Sequence, residues 1–234
     1  MRNAGAMMQV FRQHLEMGSL GLLLMAGVGL PLSVIADRSE LDGTWMQLQG
    51  ELSPVSLTSD GQAAVDRYIP LRDDPDLECR PASLTNIIGI PDPPFQIRLY
   101  EGHVEINYEY MDVNRSIPLG DELSPEDAPH TVADHPHLGR SAGRYEGDEL
   151  VIETGDPEGG FVLTRAAEGY PQSTQMRTRE QFKADGDRLY VLITHNDPVN
   201  YQESFTMNLE FIRVDFPILE FGCTVEAASY DHRL

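Results

Sequence analysis

The stretch from His137 to Thr154 constrains the fold most, because two alternating runs flank Gly147-Asp148. Glycine at the first of two central residues suits a type II′ turn, whose twist matches the strands it joins. Counting outward from the turn, Glu146 faces Glu149, Tyr145 faces Leu150 and Arg144 faces Val151. One face then carries Tyr145, Leu150 and Ile152, and the other carries Arg144, Glu149 and Glu153. One side apolar and one side charged is the pattern of a half-buried antiparallel sheet.

The same logic repeats along the chain. Phe95, Ile97 and Leu99 alternate up to Glu101-Gly102, and Val104, Ile106, Tyr108 and Tyr110 alternate after it. A two-residue turn there sets Leu99 against Val104, Ile97 against Ile106 and Arg98 against Glu105, so apolar and charge pairing agree on one register. Glu105, Asn107 and Glu109 share the polar side, and Arg115 falls on the next short strand. Met176–Lys183 and Arg188–His195 pair around Asp185-Gly186, which sets Glu180 opposite Val191. Two last strands carry Phe205, Met207, Leu209 and Phe211, then Leu219, Phe221, Cys223 and Val225. Trp45, the single tryptophan, reads as a core anchor in a first strand.

One short helix is expected, with Ser59 and Gln62 as a capping box and Tyr68-Ile69-Pro70 as its stop. The residues from Asp121 to Pro136 read as a proline-rich loop. Eight to ten strands on short hairpins favour an all-β, antiparallel up-and-down barrel, which removes sheet edges, over a β-sandwich.

Residues 1–36 stand apart from this pattern. Arg2 and Arg12 precede an apolar run that ends Val34-Ile35-Ala36, as in a signal peptide cleaved after Ala36, with an uncleaved anchor as the alternative. No later stretch is apolar enough to span a bilayer, so no membrane insertion is expected after cleavage. Residues 37–234 then form one barrel domain in the periplasm or outside the cell. Removing the leader takes away two of the 17 basic and one of the 38 acidic residues, and the charge goes from −21 to −22. With Lys183 the single lysine, no basic stripe exists to neutralise phosphates, and a nucleic-acid partner is excluded. An oxidising compartment permits a Cys79–Cys223 disulfide, two separate buried thiols being the alternative.

Chemistry is sparsely marked. Because Arg177, Arg179, Gln181 and Lys183 share one face of their strand, Glu180 must point inward with Thr178 and Phe182. A buried carboxylate needs a partner, and Arg140 or Arg144 is the expected cation, either as a structural pair or as a catalytic set with Glu180 as base. Glu109, Arg115, His137, Tyr145 and His195 are the further candidates to line a ligand site. His130, His135 and His137 cluster, but Pro136 intervenes and no third ligand is placed by spacing, so no metal is assigned. The acidic loop Asp73-Asp74-Pro75-Asp76 lacks the glycine and spacing of a calcium loop and reads as solvated. Ser141 has no nucleophile elbow, and no phosphate-binding loop calls for a cofactor.

The run Leu138-Gly139-Arg140-Ser141-Ala142-Gly143-Arg144-Tyr145-Glu146-Gly147-Asp148 resembles the Gly-His-Ser-x-Gly-x-Trp-Glu-Gly-Asp-Thr-Leu-Val signature of a large set of exported bacterial proteins. The likeness extends to Leu57–Tyr68, the loop ending at Cys79, Tyr108-Glu109-Tyr110 with Arg115, Glu180-Gln181-Phe182, Asp197-Pro198 with Tyr201, and Cys223. It implies a calycin-like, lipocalin-like β-barrel and transfers no established reaction. Arg140 stands where the family has histidine and Tyr145 where it has tryptophan; if that histidine is catalytic in relatives, this chain has lost or altered the activity. The function expected is a barrel holding a small, partly apolar ligand. The alternatives are a cofactor-independent lyase, isomerase or hydrolase, and an envelope module with a filled barrel. An open apolar interior, an open interior with paired charges and a filled interior would distinguish the three.

Overall fold

The computed structural model describes residues 38–164 and 169–225; the expected leader and its cleavage site lie outside them. The chain forms β1 (Gly43–Leu52), β2 (Phe95–Tyr100), β3 (His103–Tyr108), β4 (Asn114–Pro118), β5 (Arg140–Glu146), β6 (Glu149–Gly155), β7 (Gly160–Leu163) and β8 (Tyr170–Gln172). β9 (Arg177–Asp185), β10 (Arg188–Asn196) and β11 (Phe205–Val214) follow. Nine of these make one antiparallel sheet in the order β4-β3-β2-β1-β11-β10-β9-β6-β5, and β7 and β8 form a separate ribbon. The sheet curls into a nearly closed up-and-down barrel. Its first and last strands in sequence are paired, so the seam falls mid-chain between β4 and β5. A parallel bridge from Leu119 to Gly143, with Gly120 N donating to Gly143 O at 2.9 Å, spans that seam.

Alternation fixes which side faces in. Ile97, Val104, Ile106, Ile117, Leu150, Ile152, Phe182, Leu189, Ile193 and Phe211 are buried inside. Trp45 is fully buried with its indole N–H on Leu41 O at 3.1 Å and the Arg213 guanidinium over its ring. The β2–β3 and β5–β6 registers match the sequence reading residue for residue.

Four expectations are corrected. The β9–β10 turn is Gly186-Asp187 rather than Asp185-Gly186, because Asp185 pairs with Arg188 and Gly186 takes φ +60° at the first central position. Glu180 therefore faces Ile193 and not Val191; the slip of two preserves its inward parity. α1 (Ser59–Arg67) is capped one residue earlier, by Thr58, whose hydroxyl accepts from Gly61 N at 3.1 Å. It is also not the single helix. α2 (Pro70–Asp73) begins at the proline expected only as a stop, which is tolerated at the first helical position because its missing N–H is not needed there. α3 (Leu84–Ile88) was not foreseen, and all five of its residues are buried.

Finally, residues 219–225 form no strand. Leu219, Phe221 and Val225 are exposed, and the backbone N–H groups of Leu219, Phe221 and Gly222 go to the Glu109 and Asp112 carboxylates. With no neighbouring strand to accept them, these donors find side chains instead. This strap is tied to the body by the Cys79–Cys223 disulfide.

Candidate functional site

The barrel register lines up a polar row across four strands. Ser141 on β5 faces Thr154 on β6, Thr154 faces Thr178 on β9, and Thr178 faces His195 on β10. Glu180 lies one inward position away on β9, 1% exposed. Its cation is Arg115, also 1% exposed, which β4 directs inward along with Ile117 while Asn114 and Ser116 face solvent.

The guanidinium spans carboxylate and hydroxyls together. Arg115 Nη1 donates to Glu180 Oε1 at 3.1 Å, and Nη2 sits 2.7 Å from Oε2 and donates to Ser141 Oγ and Thr154 Oγ1, both at 2.9 Å. Ser141 and Thr154 share a further hydrogen bond of 2.8 Å, and Thr131 donates to Ser141 at 3.3 Å. Satisfaction is incomplete. Glu180 Oε2 is close to Nη2 but out of hydrogen-bond alignment, and Arg115 Nε has no well-aligned partner. The buried Tyr108 hydroxyl feels the field of this pair without a well-aligned bond to it; burial drives its pKa upward, so it stays protonated.

His195, fully buried, bridges Thr178 Oγ1 at 3.1 Å through Nδ1 and Thr85 Oγ1 at 3.3 Å through Nε2. Desolvation pushes its pKa down to about 3, so the ring is neutral and one nitrogen donates while the other accepts. Between the Arg115 and His195 centres lies a cavity of about 20 Å³, bounded by Thr85, Thr154, Thr178, Leu84, Leu138 and Met176 among others. That volume holds about one water molecule.

Other candidates sit elsewhere. Arg144 points outward, on Glu146 at 2.8 Å and Glu153 at 2.9 Å, in a ladder that Arg179 completes. Arg140 is half-buried at the seam, donates to Ala128 O at 2.9 Å and lies 3.5 Å from Asp156. Neither reaches Glu180, since the outward parity that gives Arg144 a charged face removes it from the interior, and β4 brings Arg115 to the carboxylate instead. Glu109 holds the strap. His137 bonds Pro81 O at 2.9 Å beside His135, and Tyr145 lies under the Arg38 guanidinium. Among the described residues no group of three or more His, Cys, Asp or Glu could hold a metal ion. For Arg144→Ala we expect a stability loss of no more than about 1 kcal/mol, as for an exposed pair, with the interior unaffected. Chemical denaturation would check the first part, and an altered His195 ring resonance would refute the second.

Asp76, expected to be solvated, is instead a half-buried acceptor. Its carboxylate takes Asn86 Nδ2 at 2.9 Å, Tyr110 Oη at 2.8 Å and Ala82 N at 3.1 Å, fastening α3 from below. Burial, with Asp74 adding to it, outweighs these donors and pushes its pKa up from 3.8 to about 6. The folded protein then keeps a proton that the unfolded chain has released, so stability should fall as pH rises from about 4 to about 6 and level off above, by on the order of 3 kcal/mol. Urea midpoints across that window should show the decline in the native protein and a flatter profile in Asp76→Asn. Parallel profiles would refute the assignment.

No family model and no curated protein matches this chain. Solved structures do align with it. A chain described as the REP1-NXSQ fatty acid transporter is 13% identical with a TM-score of 0.41, over 76% of this chain and 99% of that one. Caenorhabditis elegans lipid binding protein 8 is 9% identical at 0.37, over 76% and 98%. A secretory abundant heat soluble protein from Ramazzottius varieornatus is 11% identical at 0.39, over 75% and 96%. The fold is a nearly closed, antiparallel up-and-down barrel. No described helix is long and apolar enough to cross a membrane.

Proposed function

We propose that the protein is an exported β-barrel that holds a small, partly apolar molecule. Export is supported by the charged, apolar and small-residue succession of residues 1–36 and by a disulfide in the body of the fold. Binding is supported by one observation above others, the polar row that runs from an imperfectly satisfied Arg115–Glu180 pair past a cavity walled by Leu84, Leu138 and Met176. A purely structural interior gains nothing from buried polar atoms without aligned partners, each of which costs about 1–3 kcal/mol, whereas a binding site can keep them to set the charge balance behind its wall. Ser83, Leu84 and Thr85 bound that cavity, so a molecule larger than water enters when this segment moves aside.

The cavity volume favours one other reading, the filled envelope module. Glu180 as a general base is less supported, because its carboxylate is already held by Arg115 and meets no open volume. A native mass spectrum of protein purified from its own host separates the first two. A retained small molecule is expected for a binder. Bare-chain mass in every charge state would establish the filled module.

A further inference from the structure

We propose that the interior site admits uncharged molecules only, and that Glu180 is the residue that sets this selectivity. The inference rests on the binding function proposed above. Arg115 is the cation of the polar row, and Glu180 balances it within 2.7 Å. The polar groups that line the cavity are the hydroxyls of Ser83, Thr85, Thr154 and Thr178 and the amide of Gln172, with the His195 imidazole bonded to two of those hydroxyls. Both nitrogens of that imidazole are used by threonine hydroxyls, and it carries no charge near neutral pH.

The wall is thus polar and electrically balanced. Hydroxyls donate or accept as needed, so they match an alcohol, carbonyl or ester oxygen equally well. An anionic head group would find no free cation among the described residues of the wall, since Glu180 already neutralises the guanidinium that lies behind Thr154. An ammonium head group would in turn compete with Arg115 for one acid. Either ion would be buried without its counter-charge, a condition that costs several kcal/mol even after relaxation. The apolar walls from Leu84, Leu138 and Met176 suit the hydrocarbon part of an amphiphile.

The test uses matched amphiphiles of six, ten and fourteen carbons as primary alcohol, methyl ester, carboxylate and primary ammonium, added to the leaderless protein and read by native mass spectrometry and thermal shift. Alcohols or esters should bind at least about 100-fold tighter than the ions of the same length. Glu180→Gln removes the balancing charge and should raise carboxylate affinity at least about tenfold relative to the alcohol of the same length. If that variant fails to fold, the ester against its parent carboxylate in the native protein still decides the matter. Carboxylates binding the native protein as tightly as their esters would overturn the selectivity while leaving a binding function in place. Failure of every probe to bind either form would overturn the binding function, and the selectivity with it.

Discussion

Arg115→Leu is expected to cost about 3–5 kcal/mol of unfolding free energy, because it leaves the Glu180 carboxylate buried with its counter-charge removed. The mechanism is asymmetric. The pair itself sits in a low-dielectric interior where desolvation nearly cancels attraction, so replacing both partners by leucine should recover most of the loss. A double-mutant cycle on urea unfolding would therefore show a large favourable coupling between the two sites, while the doubly substituted protein comes out close to the native one. The cost of the single change should also depend on pH. Protonation removes the uncompensated charge, so the variant should regain stability as pH falls and lose it as pH rises. A loss under about 1 kcal/mol for Arg115→Leu would mean that water reaches the carboxylate and that the interior is not sealed as described.

That this pair could be half foreseen says where sequence reasoning works. Strand parity alone sent Glu180 inward, because Arg177, Arg179, Gln181 and Lys183 occupy the opposite face. Parity also marks Arg115, which shares its face with Ile117 between Asn114 and Ser116. What parity cannot supply is a partner across the barrel. Arg115 and Glu180 are 65 residues apart and meet only because the sheet curls until β4 approaches β5, a closure set by the twist of nine strands together. Arg144 looked suitable because it is close in sequence to the inward residues of its own hairpin, yet it belongs to the solvent ladder.

The row Ser141–Thr154–Thr178–His195 was within reach, since each step is a hairpin or sheet register. The β9–β10 slip hid its last member. Asp185-Gly186-Asp187 allows two turn frames, and the frame first read set Thr178 opposite Ile193 and His195 opposite Met176. α3 left almost no trace. Thr85, Ile87 and Ile88 are β-branched, and with all five residues buried there is no exposed stripe to reveal a helical period. Asp76 was misjudged for a related reason. Its neighbours Asp73 and Asp74 make the loop look solvated, whereas its burial is decided by Asn86 and Tyr110, which approach from elsewhere in the chain.

Opening the Cys79–Cys223 bond, by reduction or by Cys79→Ser with Cys223→Ser, should lower unfolding free energy by about 2–4 kcal/mol. The bond spans 144 residues, and the chain-entropy model for so long a loop gives a stabilisation on the order of 5 kcal/mol. We expect less because the freed state need not keep its strap. Residues 215–225 have no strand partner; they are held by the Glu109 and Asp112 carboxylates and by the Tyr110–Phe221 ring contact. Once the disulfide is open, this segment can leave an otherwise intact barrel, which returns entropy to the folded state and offsets part of the loss. Two signatures separate that outcome from general loosening. Limited proteolysis should cut the reduced protein within residues 215–225 while the barrel survives, and the denaturant slope should fall because less surface remains to be exposed. A loss near 5 kcal/mol with an unchanged slope would show that the strap stays docked on its three backbone contacts, and an unchanged midpoint would show that the bond contributes nothing to folding.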